Sequence, residues 1–141
     1  MELLPHQLFF RRFTDLYRPL IAKVGGVLAE GGLTVPHWSV LRIIAEEGEM
    51  TPAELAFRQN VEKPTVSRNL QQLHERGLID FKAGRDRREK ILFLTEEGRA
   101  VYEQALDAVS AVEEEVLRGI PREDQMRMAE FFSLIRKNLI D

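Results

Sequence analysis

The chain has 141 residues, with 20 Lys and Arg against 23 Asp and Glu, 44% hydrophobic residues and no cysteine. That length and composition describe one globular domain with a core of its own, not a disordered or fibrous chain. Without cysteine there is no disulfide framework, thiolate metal site or thiol switch. No apolar run approaches the ~20 residues that span a bilayer, and the charges at Glu2, Arg11, Arg12, Asp15 and Arg18 are unlike a secretory leader, so the expected address is cytoplasmic, with no membrane partner.

Residues 3 to 28 place Leu4, Leu8, Phe9, Phe13, Leu16, Tyr17, Leu20, Ile21, Val24 and Leu28 at steps of three and four, the pattern of a long amphipathic helix. Pro19, which lacks an amide, is expected to bend or divide it. Gly31-Gly32 ends that segment. Thr34, followed by Pro36, opens a second helix that carries Trp38, Val40, Leu41, Ile43 and Ile44 to a stop at Gly48. Thr51-Pro52-Ala53-Glu54 is a capping box that starts a short helix through Arg58, and Asn60 with Val61 forms a corner.

From Lys63 to Arg76 another helix turns Val66, Leu70 and Leu73 inward and Lys63, Pro64, Thr65, Ser67, Arg68 and Gln71 outward, ending at Gly77. The period then changes. Ile79 to Ala83 alternates, Lys90 to Leu94 is rich in β-forming residues, and the polar stretch Gly84 to Glu89 joins them as a hairpin with a basic tip. Thr95 with Glu96 and Glu97 caps a helix that extends to Gly119, and Ile120-Pro121 separates it from a last helix bearing Met126, Ala129, Phe132, Ile135 and Leu139. The apolar stripes of these terminal helices are expected to pack partly on the first helix and partly on a second copy of the chain.

The charge is uneven along this path. Residues 1–50 balance to −1, residues 51–95 to +3 and residues 96–141 to −5, and Lys82, Arg85, Arg87, Arg88 and Lys90 fall within nine residues that hold only Asp86 and Glu89 as acids. A basic middle between acidic flanks points to one surface for a polyanion. Two helices joined by a short corner and followed by a basic β-hairpin are the winged helix-turn-helix, in which the second helix enters a major groove and the wing reaches the adjacent minor groove. The fold class is therefore mainly α with a small β wing, in a single domain whose residues 34–95 bind DNA while 1–30 and 96–141 supply dimerisation helices.

Arg68 suits a forked guanine contact and Ser67 or Thr65 a phosphate or thymine methyl. Lys63, Arg85, Arg87 and Lys90 suit phosphate, which sets affinity and salt dependence. Pro64 pre-forms the first helical turn, and Glu75 and Arg76 at the helix end are expected to be solvated.

In Lys63-Pro64-Thr65-Val66-Ser67-Arg68, Leu73-His74-Glu75-Arg76-Gly77-Leu78-Ile79, and above all Asp86-Arg87-Arg88 followed by Leu94-Thr95-Glu96-Glu97-Gly98, the sequence resembles the multiple antibiotic resistance regulator (MarR) family of transcription factors. The resemblance implies a homodimer on a pseudo-palindrome with half-sites ~34 to 36 Å apart, with repression as the default. It puts Thr65, Ser67 and Arg68 near bases and phosphates and Arg88 in the minor groove, oriented by an ion pair with Asp86. It also implies release by a small phenolic or carboxylic ligand. Phe13, Tyr17, His37 and Trp38 would line an aromatic pocket for it and Arg42 would meet its carboxylate; the same aromatic spacing also suits a core.

His6, His37 and His74 are too widely spaced for a metal site. No phosphate loop, nucleophile elbow or His-Glu-x-x-His pattern is present, so neither an enzyme nor a cofactor is expected. The alternative to a DNA reader is a winged-helix module that docks proteins, which has no need of so basic a wing.

Overall fold

A computed structural model describes residues 1–140. Six helices and a hairpin follow one another as α1 (Pro5–Glu30), α2 (Val35–Glu47), α3 (Pro52–Gln59), α4 (Lys63–Glu75), β1 (Ile79–Ala83), β2 (Lys90–Leu94), α5 (Glu96–Val116) and α6 (Arg122–Ile140). The boundaries have local causes. Thr34 Oγ1 accepts the His37 amide at 3.2 Å and Thr51 Oγ1 accepts the Glu54 amide at 3.1 Å, so each threonine satisfies a donor that its helix leaves free. Asn60 closes α3 in the left-handed region at φ 54°, which its short polar side chain tolerates.

Pro19 does not divide α1, which is continuous from Pro5 to Glu30. Asp15 and Pro19 are both exposed, so water can take up the carbonyl that loses its amide partner.

Contacts separate the chain into two compact units, residues 1–109 and residues 110 onward. The first holds the core, in which Leu28, Val40, Leu41, Leu55, Val66, Leu73, Leu78, Ile79 and Leu92 are nearly inaccessible. The division falls inside α5 because Gly98 and Tyr102 are buried within the first unit: Tyr102 stacks on Trp38, ring centroids 5.5 Å apart. In the second unit no described residue of α6 is buried, and Met126, Phe131, Leu134, Leu139 and Ile140 are exposed.

The hairpin pairs Ile79 with Leu94 through Ala83 with Lys90, antiparallel. Met50, between α2 and α3, adds a separate antiparallel bridge to Leu92 of β2. That third edge ties the wing to the helical core.

Candidate nucleic-acid interface

The second helix of the corner motif, α4, buries Val66, Leu70 and Leu73 and leaves Lys63, Pro64, Thr65, Ser67 and Arg68 exposed. At the wing, Arg85, Asp86, Arg87, Arg88 and Lys90 are all exposed. A cavity of about 490 Å³ joins the two, lined by Thr51, Pro52 and Ala53 at the start of α3, Lys63, Val66 and Ser67 of α4, and Arg88, Glu89 and Lys90 of the wing. Four of the ten interface residues named from sequence, Lys63, Ser67, Arg88 and Lys90, therefore share one concavity, with Pro64, Thr65 and Arg68 beside it on α4 and Arg85, Asp86 and Arg87 at the wing tip.

Among the described residues, Lys63, Arg68, Arg85, Arg87 and Arg88 have no carboxylate at ion-pair distance. Four other cations are paired: Arg58 with Glu47 at 2.8 Å, Arg42 with Glu46 at 3.0 Å, Lys82 of β1 with Glu49, and Arg118 with Glu115. Lys90 Nζ lies 5.7 Å from the centroid of the Phe81 ring, within cation–π reach. The exposed cations of α4 and the wing tip are thus left without ion-pair partners.

Asp86 acts on the backbone. Its Oδ1 accepts the amide of Arg88 at 3.2 Å and its carbonyl accepts the amide of Glu89 at 2.9 Å, while Gly84 donates to the Glu89 carbonyl at 3.0 Å. Asp86 makes no ion pair with Arg88; it shapes the turn that presents Arg88, because a short carboxylate reaches the amide two residues on.

Arg76 is exposed, as expected, and makes one contact besides. Its Nη1 donates to the Gly32 carbonyl at 2.8 Å, tying the end of α4 to the α1–α2 corner. The Leu94-Thr95-Glu96-Glu97-Gly98 segment is a second tie. Thr95 Oγ1 donates to the Gly77 carbonyl at 2.6 Å and accepts the Gly98 amide at 3.0 Å.

The five residues named for a ligand are distributed over four local arrangements. Phe13 and Tyr17 pair on α1 with ring centroids 6.2 Å apart, Trp38 stacks on Tyr102, and Arg42 pairs with Glu46. His37 is buried, with Nε2 donating to Gln72 Oε1 at 2.8 Å and Nδ1 without a hydrogen-bond partner. Tyr102, absent from the sequence reading, completes the aromatic group; burial raises its phenol above the ordinary value, with the Glu46 carboxylate adding to that and Arg42 and Arg99 opposing it. Its signal was its spacing of four residues from Gly98. Among the described residues no group of three or more His, Asp or Glu side chains gathers where a metal ion fits, and no helix is long and apolar enough to cross a membrane.

A family model described as the MarR family matches residues 31–89. An uncharacterized HTH-type transcriptional regulator of Bacillus subtilis, YwoH, is 34% identical over 117 residues, 83% of this chain and 85% of its own. Staphylococcus aureus MarR in complex with salicylate and kanamycin superposes with a TM-score of 0.85 at 28% identity, over 96% of this chain and 92% of that one. A mutant MarR of E. coli complexed with operator DNA has a TM-score of 0.78 at 19% identity, over 96% and 99%, which is a likeness of fold.

Proposed function

This chain belongs to the MarR family of transcriptional regulators, and from that premise we propose that it is a cytoplasmic, sequence-specific reader of double-stranded DNA that acts as a homodimer on a pseudo-palindromic operator, as a repressor. The observation that carries the reading is the unpaired basic face, where Lys63, Ser67, Arg88 and Lys90 line one concavity between α4 and the wing. A duplex offers that face phosphates for the cations and a groove for Thr65, Ser67 and Arg68, and each released counterion favours binding.

Dimerisation is supported by apolar residues too exposed for a monomer: Leu4 at the cap of α1, Phe10, Leu16 and Tyr17 on α1, and Phe131, Leu134 and Leu139 on α6. A homodimer would set two copies of α4 about one helical turn apart.

A small aromatic or carboxylic acid is the proposed releasing ligand, held by Phe13, Tyr17, His37, Trp38 and Arg42. Its supporting observation is the buried His37 Nδ1, which has no hydrogen-bond partner and suits a hydroxyl donor on an aromatic ring. The similarity to a MarR that binds salicylate names a first probe.

The test is footprinting on a duplex that the protein enriches from a randomised pool. Two protected half-sites one turn apart, lost when salicylate or a related benzoate is added, are expected; a single protected half-site would remove the dimeric reading, and a pool that is not enriched would remove the DNA reading.

A further inference from the structure

We propose that Gln72 and Arg76 are positioning residues that hold α4 in the register required by a DNA half-site without touching the DNA. The inference rests on the reading of α4 as the recognition helix.

The two residues stand one turn apart and so share a side of α4. Each reaches the α1–α2 corner: Gln72 Oε1 accepts from His37 Nε2 at 2.8 Å, and Arg76 Nη1 donates to the Gly32 carbonyl at 2.8 Å. Arg76 lies eight residues beyond Arg68, about 12 Å along the helix axis, so these ties are set back from the side chains proposed to read bases. The apolar anchors of α4, Val66, Leu70 and Leu73, resist its removal from the core, but apolar packing is only weakly directional. Rotation about the helix axis is opposed most sharply by hydrogen bonds, whose strength falls steeply with misalignment.

Both partners are themselves fixed. His37 is buried in the first turn of α2, where its own amide is held by Thr34, and its ring has one nitrogen committed to Gln72. Gly32 has a φ of 77°, the left-handed conformation that turns the chain between α1 and α2. Two directional ties to a rigid corner set the angle at which Thr65, Ser67 and Arg68 are presented.

The experiment measures affinity of the full-length protein for a duplex it has itself enriched from a randomised pool, and for a scrambled duplex, across a salt series. The variants are Gln72→Ala, His37→Leu, the double variant, His37→Gln and Arg76→Met. Gln72→Ala and His37→Leu are each expected to lose roughly three- to ten-fold on the enriched duplex, the double variant no more than the larger single loss, and His37→Gln, which keeps an N–H near the same place, most of it restored. Arg76→Met should lose a similar factor on the enriched duplex with an unchanged salt slope, and the scrambled duplex should be bound as before. Full affinity in His37→Leu, or losses that multiply in the double variant, would overturn the proposal by making Gln72 a DNA contact. A salt slope flattened by about one unit in Arg76→Met would overturn it by making Arg76 a phosphate contact. If His37→Leu does not fold, Arg76→Met and Gln72→Ala, which truncate exposed side chains, decide the matter by the same slope and the same scrambled control. A parent protein that enriches no duplex would overturn the DNA reading and this inference with it.

Discussion

Gly98 stands against the backbone of Leu78 so closely that a Cβ on Gly98 would fall 1.8 Å from the Leu78 carbonyl oxygen. Leu78 follows the end of α4, and its carbonyl also accepts the Thr95 amide at 3.2 Å. The start of α5 is thus seated on the segment that leads from α4 into the wing.

That contact sets the first expectation. Gly98→Ala drives a methyl into backbone that cannot rotate away, and should cost at least about 3 kcal/mol. Urea unfolding followed by circular dichroism measures this, and an unchanged midpoint would show that α5 can back away from Leu78.

Asp86 separates a turn from an ion pair. Because its carboxylate oxygen accepts the Arg88 amide, Asp86→Asn keeps an oxygen that does the same and should hold DNA affinity within about two-fold, whereas Asp86→Ala should lose about 1 kcal/mol. Equal losses from the two variants would restore a charge-dependent role.

Base reading and phosphate binding divide by their salt signatures. Arg88→Ala is expected to weaken DNA binding by about 1–3 kcal/mol and Arg68→Ala to relax base choice by a similar amount. Lys90→Ala should lower affinity for all duplexes alike and flatten the salt slope by about one unit. Competition titrations against enriched and scrambled duplexes distinguish these; identical behaviour of Arg68→Ala and Lys90→Ala would undo the division.

Tyr102 makes stability fall in alkali. Burial raises its phenol above the ordinary value of about 10, so the folded state favours the neutral ring. That contribution is complete below the ordinary value and is lost as pH rises through the folded one. Tyr102→Phe keeps the stack on Trp38 and has no proton to lose, so its stability should decline less than the parent's as pH rises above about 10. Parallel curves for the two proteins would remove Tyr102 from the pH dependence.

Much of this architecture was legible where the signal is local. Thr34, Thr51 and Thr95 mark helix starts, Gly48, Asn60 and Gly77 mark stops, and the alternation from Ile79 to Ala83 gives way to a basic turn at the observed residue. What escaped the sequence depends on partners far along the chain. Met50 is a one-residue strand with no period of its own, the partner of Arg76 is a carbonyl 44 residues away, and the closeness of Gly98 to Leu78 is visible only once α5 is seated. The interface residues were named individually; that Lys63, Ser67, Arg88 and Lys90 line one cavity follows from the fold.

The central claim, that the face made by α4 and the wing reads duplex DNA, is tested most directly by fluorescence anisotropy of the purified protein with its enriched duplex and a scrambled one at several salt concentrations. Tight binding to the first, weaker binding to the second, and a steep decline of both with salt are expected. Absence of binding to either duplex at low salt would contradict the claim and leave a winged helix whose surface is built for a protein.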